Sequence, residues 1–523
     1  MPPLRLPKKG KAKAKAAPID FTSLQTALQS QLDFDGWIEE GVQQEEQGER
    51  YQFGTKAQRH YTNAVIAFRC AASLNPTSFD ALYNSARITQ QLASDHLAAP
   101  ECYNALEEAV ASYRQALTLA TTEEERIDAL FNLAQACVEL QEMGDAGATG
   151  KKEASRLMEA RELFAEVERL QTAAMEKVFG SGSSGGEEED DEGMDEAEGS
   201  RAGSEAGVQM GEATEGRIVT PQLVLDTILE GFEVDLALYS TPSIDAESLT
   251  TLASSAHAAL QRAFTLRQQH LAASSPAVDL SLSLAQLSFS STCSSHLPST
   301  APLLLTPEAQ RALYTTLLPL HPRNPSLLSS YADHLLDSLP LTPDASSTLQ
   351  QATTAYTTVY ALLCDRFTPQ KDLPAHAVPA LLSSNLVARS SLLLLQDHLD
   401  NPTPTTLLEA QKLALEAVAI TGSGVTISLD SAGGLSAKAT AGRKDWSTIK
   451  ALREAWFQLV RIRLRVDGAE GQARALGEAW GKATGRSVSV DLQWCVDEVY
   501  RDDKVWEASQ GAEEALWRGL VGV

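Results

Sequence analysis

The sequence predicts an all-α fold, a helical-repeat solenoid interrupted by a disordered acidic linker. Three observations predict it. Alanine and leucine dominate the periodic stretches, whereas aromatics make up only 6% of the 523 residues. That bias favours helices, because Ala and Leu lose little on entering one and strands prefer β-branched and aromatic residues. A seven-residue segment recurs: Asp80-Ala81-Leu82-Tyr83-Asn84-Ser85-Ala86 returns as Asp128-Ala129-Leu130-Phe131-Asn132-Leu133-Ala134. A Gly/Ser run that passes into consecutive carboxylates then divides one helical half from the other. At this length a single compact core is excluded, and two or three domains or one elongated repeat array are expected.

Residues 1–17 are low-complexity Lys/Ala/Pro and are expected to form a disordered basic tail. Their clustered Lys8, Lys9, Lys11, Lys13 and Lys15 read either as a nuclear import signal or as a plain basic tail. Helical patterning begins around Trp37, Ile38 and Gly41, and a polar loop is expected near Gly54. A strong helix follows from His60 to Leu74 and stops at Asn75-Pro76. Its Ala64, Phe68 and Ala71 recur as Ala109, Tyr113 and Ala116, and again as Ala160, Phe164 and Val167.

On these residues the stretch 34–172 resembles the tetratricopeptide repeat family, whose second helix carries a small residue, an aromatic four later, a small residue three after that, and then a proline. The resemblance implies that alanines let paired helices approach while the aromatic fills the gap between successive hairpins. It makes the two recurring segments the first helices of the second and third repeats, within an N-terminal repeat domain at 34–178. The family period is about 34 residues, whereas the second-helix alanines here stand 45 and 51 apart. Insertions around 94–104 and 143–152, or longer helices, must absorb the difference. The Trp-x-x-Leu-Gly element of the first helix is reduced to Trp37 and Gly41, with Leu82 and Leu130 replacing the tryptophan in the later copies.

Residues 179–216 break the pattern. Gly180 to Gly186 lead into Glu187, Glu188, Glu189, Asp190, Asp191 and Glu192, and the segment holds twelve acidic residues against Arg201 alone. Too little apolar surface is present there to order a chain. The remaining domain, 217–523, reads as a degenerate continuation of the array. Helices are expected at 221–239, 246–273, 306–318, 325–339, 346–364, 378–398, 405–420, 446–465, 469–482, 491–500 and 504–520. Ala352, Tyr356 and Val359 copy the second-helix spacing, and Ala410, Ala414 and Ala417 do so without the aromatic. Val425 to Asp430, followed by Gly433-Gly434, reads either as a short strand or hairpin loop or, the favoured reading, as an exposed insertion.

A net charge of −26 excludes general nucleic-acid binding, which needs a basic surface to displace counterions. No apolar run of about 20 residues suggests a membrane span, and the N-terminus lacks a secretory signal. A cytoplasmic or nuclear protein is expected. The six cysteines are scattered without a CxxC pair and are read as buried free thiols. Gly180, Gly182 and Gly185 match G-x-G-x-x-G, but no strand precedes them and an acidic run follows, where a pyrophosphate would be repelled. Gly150-Lys151 fails as a phosphate loop, because Asp145 occupies the first glycine position and Lys152 the Ser/Thr position. His60, His257 and His334 are read as surface or boundary residues. No cofactor, metal or small-molecule substrate is implied, and an unrecognised enzyme is retained only as the least favoured alternative.

First helices of this family line a groove, so the resemblance points Asp80, Tyr83, Asn84 and Arg87, then Asp128, Phe131, Asn132 and Gln135, toward a bound protein. Asparagines beside aromatics suit capture of a peptide; equally, they satisfy local hydrogen bonds. The family's carboxylate clamp is not expected, because Glu39, Glu40, Glu45 and Glu46 stand where cations would be needed. Two functions follow: an adaptor or dedicated chaperone for a basic client of the ribosomal-protein or histone class, or a scaffold subunit with the acidic segment as a spacer.

Overall fold

The computed structural model describes residues 21–28, 32–51, 54–97, 101–143, 154–179, 218–241, 244–271, 276–293, 301–339, 345–367, 377–400, 404–421, 425–429, 435–439, 446–465 and 470–484. The basic tail, the acidic segment 180–216 and the helices expected at 491–500 and 504–520 lie outside these residues. The chain divides into two compact units, the first made mainly of Met1–Leu119 with the short segments Pro374–His376 and Arg443–Trp446, the second of the remaining residues from Ala120 on.

The first unit contains α1 (Leu24–Ala27), α2 (Phe34–Tyr51), α3 (Gly54–Leu74), α4 (Phe79–Asp95) and α5 (Glu101–Leu119). Polar side chains start them: Asp33 accepts the Gly36 N–H at 2.9 Å ahead of α2, and Ser78 caps α4. The buried positions of α2, Trp37, Gly41, Glu45 and Gly48, form a single stripe. Two of them are glycines for a steric reason. A Cβ on Gly41 would sit 2.8 Å from the Phe68 ring, and one on Gly48 2.9 Å from the Tyr61 ring. The glycines are seven residues apart and so are the rings, in the opposite chain direction, which fixes α2 and α3 as an antiparallel pair. Ala64, Phe68 and Ala71 are fully buried, as are Ala109, Tyr113 and Ala116 on α5, and the Tyr113 hydroxyl donates to Gln90 Oε1 at 2.8 Å. Helix α3 begins at Gly54, ahead of the expected start at His60.

The second unit continues the pairing with α6 (Glu123–Met143), α7 (Ser155–Phe179), α8 (Pro221–Tyr239), α9 (Ala246–His270) and α10 (Pro276–Cys293). Next come α11 (Pro307–Leu320), α12 (Pro325–Asp337), α13 (Ser346–Phe367), α14 (Ala377–Asp400) and α15 (Pro404–Ile420). A β1 (Val425–Leu429) and β2 (Leu435–Ala439) hairpin precedes α16 (Trp446–Leu464) and α17 (Glu470–Thr484). A Thr122–Glu125 capping box opens α6. Thr220-Pro221, Thr306-Pro307 and Asn324-Pro325 open α8, α11 and α12, the side chain capping and the proline fitting the first turn. Neighbouring helices pack in series from α6 to α9 and from α12 to α15. The long repeat period has a direct cause: α3, α6 and α7 run to 21, 21 and 25 residues.

One ion pair ties three helices together. Arg161 on α7 donates from Nε to Asp235 Oδ1 on α8 at 2.6 Å and from Nη2 to Ser255 Oγ on α9 at 3.0 Å. On the same three helices Met175, Val224, Ile228, Phe232 and Leu260 share one apolar core. Further along, Leu303 adopts a left-handed backbone with φ of 67°, a strained state for a bulky residue. It is held by its neighbours: Gln286 Nε2 donates to the Leu303 carbonyl at 3.0 Å, and the Leu305 N–H donates to Ser290 Oγ at 3.0 Å.

Three features differ from the sequence reading. Helix α10 was not anticipated, because its Leu-Ser-Leu-Ser stretch alternates like a strand. Val425–Leu429 and Leu435–Ala439 pair as antiparallel strands, Val425 opposite Ala439 and Leu429 opposite Leu435, where an unpaired insertion was the favoured reading. Val378–Leu399 within α14 is long and apolar enough to cross a membrane by length and composition. Its Ser383 and Ser390 are nonetheless fully buried, and Ser390 Oγ bonds to neighbouring helices, donating to the Ala410 carbonyl at 3.0 Å and accepting from Gln458 Nε2 at 3.2 Å. Here α14 is a core helix of the second unit.

The glycine contacts give paired predictions of opposite sign. Gly41→Ala should lose about 1 kcal/mol net, because overpacking Phe68 at about 1–3 kcal/mol outweighs a helix-propensity gain of about 1. Gly231→Ala, whose new methyl would meet Phe164 Cβ at an ordinary 3.6 Å, should gain up to about 1 kcal/mol. Urea unfolding of the two variants measures both.

Candidate protein-binding faces

The eight predicted groove residues fall into two faces, one in each unit. On α4, Asp80 is exposed, Tyr83 and Arg87 are half-buried, and Asn84 is buried. On α6, Asp128, Phe131, Asn132 and Gln135 are all half-buried. The asparagines behave alike. Asn84 Nδ2 donates to the Asp80 carbonyl and Asn132 Nδ2 to the Asp128 carbonyl, each at 2.9 Å. Each amide thus satisfies the backbone carbonyl one turn back with one of its donors.

The aromatics of these faces are anchored from behind. Tyr83 stacks on Phe79 with ring centres 5.2 Å apart and meets Tyr113 edge-on at 6.0 Å. Phe131 meets Phe164 edge-on at 5.6 Å. Each thus leans on the aromatic of the Ala-aromatic-small spacing that follows it in sequence. The contact explains why Tyr and Phe interchange at this position.

Arg87 has a partner that the sequence did not reveal. Its Nη2 lies 2.7 Å from Glu45 Oε1 and 3.4 Å from Asn84 Oδ1, so α4 is tied to α2 through a carboxylate only 8% exposed. Next to this pair, burial and the Glu45 charge push the Glu49 carboxyl up, while Arg87 draws it down. Burial and the same two glutamates push Tyr61 up to about 12.

A second acidic feature was also not singled out beforehand. Asp226, Glu230 and Glu233 recur at helical spacing along one face of α8, and all three reach solvent. Partial loss of water pushes each carboxyl up, and a like charge on the same face adds to this for the latter two, Asp226 acting on Glu230 and Glu230 on Glu233. On α12 burial raises Asp333 in the same way, although the Tyr356 hydroxyl donates to it.

Cys70, Cys102, Cys137 and Cys293 are buried free thiols, Cys364 is half-buried, and Cys495 lies outside the described residues. Burial pushes Cys70 up to about 11 and Cys293 to about 12, which suppresses thiolate chemistry. His334 departs from the surface reading. It is buried against Tyr314 with ring centres 5.2 Å apart, and burial lowers its pKa. No group of three His, Cys, Asp or Glu able to hold a metal occurs among the described residues.

No family model and no curated protein matches the chain. Among solved structures it is similar to a circular tandem repeat protein of novel repeat topology, at 13% identity over 94% of this chain and 96% of that one, with a TM-score of 0.25. It is similar to yeast Tom70 at 11% identity over 94% and 99%, TM-score 0.24, and to the TPR domain of P58(IPK) at 10% identity over 92% and 98%, TM-score 0.17. These likenesses carry no argument about function. The tetratricopeptide-like, all-helical repeat is evident in the chain's own paired helices.

Two measurements test these faces. Replacing Arg87 by Met strands the Glu45 charge and should cost about 1–3 kcal/mol. Adding Glu45→Gln should restore part of the loss in a double-mutant cycle read by urea unfolding. On α8 the folded carboxyl values lie above the unfolded ones. The folded state therefore binds extra protons in that window, and stability falls as pH rises through it. Glu230→Gln with Glu233→Gln should raise stability at pH 7 by about a few tenths of a kcal/mol, with the gain vanishing near pH ~4, where the unfolded groups protonate.

Proposed function

We propose that this chain is a non-enzymatic protein-interaction module, acting as an adaptor or dedicated chaperone for a basic client of the ribosomal-protein or histone class. The carrying observation is the face of α8, where Asp226, Glu230 and Glu233 stand exposed at i, i+4 and i+7, so that like charges are neighbours along one side of the helix. A lysine- or arginine-rich partner relieves that repulsion on binding, so the face gains from a cationic ligand what it loses alone. The twelve carboxylates of 187–215 add longer-range attraction that salt screens. Cytoplasm or nucleus is the compartment in which such clients are met.

The scaffold reading draws on a different observation. Arg87, Asn84 and Asn132 are already engaged within the protein, and a face whose polar groups are satisfied internally suits a permanent structural contact. Deleting 187–215 separates the two. For a client chaperone, the deletion leaves the helical circular dichroism unchanged, slows association with a histone or ribosomal-protein probe and flattens its salt dependence. Tyr83→Ala and Phe131→Ala instead speed dissociation. A deletion variant with unchanged affinity and salt response would leave the acidic segment as a spacer.

A further inference from the structure

Leu303 is the one non-glycine residue at positive φ among the described residues. A bulky side chain there crowds its own backbone, at a cost comparable with about one or two net hydrogen bonds, and persists only where its surroundings hold it. What holds it is a set of side chains on two helices. On α9, His257 Nε2 donates to the Pro302 carbonyl. On α10, Gln286 Nε2 donates to the Leu303 carbonyl and Ser290 Oγ accepts the Leu305 N–H, each at 3.0 Å. The backbone on both sides of the strained residue is gripped by side chains, with no helix or strand to carry it.

This strap lies where two cores meet. Leu303 and Leu304 pack against the core of α8, α9 and α10. Leu305 packs against a second core, made by Leu280 and Leu287 of α10, Tyr314 and Leu317 of α11 and Leu327 of α12. Among the described residues, only α10 and the strap place side chains in both. Helix α10 is committed to the first core, because Arg267 of α9 holds Asp279 with two bonds of 2.8 and 3.2 Å. Helix α11 is committed to the second, the Tyr314 hydroxyl donating to the Ser330 carbonyl of α12 at 3.0 Å. The joint therefore falls between α10 and α11, within the interval that separates the two runs of serially packed helices. The strap crosses it, and Gln310 Nε2 of α11 donates to the Leu305 carbonyl at 3.1 Å on the far side.

We propose that residues 301–306 are a strained latch on this joint. Seated, with Leu303 left-handed, the strap ties α11 to α9 and α10 and stiffens the array. Released, Leu303 returns to negative φ, its carbonyl and the Leu305 N–H leave α10, and the α11–α12 core is free to shift against α10. Strain favours release and the three side-chain bonds favour seating, so the two states are close in free energy. A partner that contacts helices on both sides of the joint selects the curvature it fits, whatever its charge. The latch is thus independent of the basic-client reading.

Hydrogen exchange of the full chain, read by mass spectrometry and corrected for intrinsic rates, tests both sides of the joint. Leu303→Gly and Leu303→Ala each delete the branched side chain, but only glycine abolishes the strain. The peptide covering 301–306 is expected to exchange at least about threefold more slowly in the glycine variant than in the alanine one. Gln286→Ala removes one grip and is expected to speed exchange about fivefold in both 301–306 and α11, with α8 unchanged. Equal exchange in the glycine and alanine variants would show that no strain bears on the strap. Faster exchange at 301–306 with α11 at its wild-type rate would show a strap that opens without the joint. Acceleration of α8 together with the strap would make 301–306 part of one undivided core. Any of these results overturns the latch, and the glycine–alanine pair decides it even if Gln286→Ala fails to fold.

Discussion

Close approach of α2 and α3 is the constraint from which the first unit follows. Phe68 and Tyr61 lie where Gly41 and Gly48 offer no side chain, so the helices meet at a separation that any larger residue would forbid. Glu45 sits on the same stripe, between the two glycines, and is carried into the interface with them. A carboxylate placed there needs a cation, and Arg87 supplies it from α4. The polar chemistry of the α4 face is thus a consequence of packing one helix earlier. Asn84, which accepts from the same guanidinium, belongs to that chain of necessity.

Tyr113 and Phe164 were legible as the aromatic of a recurring spacing, and each backs the aromatic of a predicted face, Tyr83 or Phe131. Most helices of the second unit were also legible, because Thr-Pro and Asn-Pro pairs mark where they start. The exceptions have physical reasons. In α10, serine replaces the polar residues that announce a helical face, so its leucines read as alternation. Helix α16 was legible at 446–465 even though every residue from Ala451 to Leu464 except Glu454 is buried, Arg453 and Arg461 included; its composition favours a helix where enclosure leaves little amphipathic signature. The hairpin at 425–439 was suspected as a strand, but nothing nearby in sequence specified its partner.

Site chemistry was less legible than fold. The repeat identified Asn84 and Asn132 and left peptide capture and local hydrogen bonding equally open; only the coordinates show their amides turned back on their own helices. Asp226, Glu230 and Glu233 are three carboxylates among 69 acidic residues, and only their place on one exposed face of α8 distinguishes them. Sequence shows where carboxylates are many; tertiary structure shows where they are ill at ease. The two kinds of acidity act over different distances, the unpaired faces at contact and the clustered segment over about a Debye length, ~8–10 Å in physiological salt.

Arg161 joined to Asp235 and Ser255 has a consequence for chain integrity. Thirty-eight residues separate Phe179 from Ile218, yet α7 is held to α8 and α9 by this ion pair and a shared apolar core. Covalent continuity contributes only the entropy of closing a long loop, about 3 kcal/mol on the usual logarithmic scale. A backbone severed between those two residues would therefore turn one folding reaction into an association of two fragments. The fragments carry complementary surfaces, and their persistence as a pair would depend on dilution.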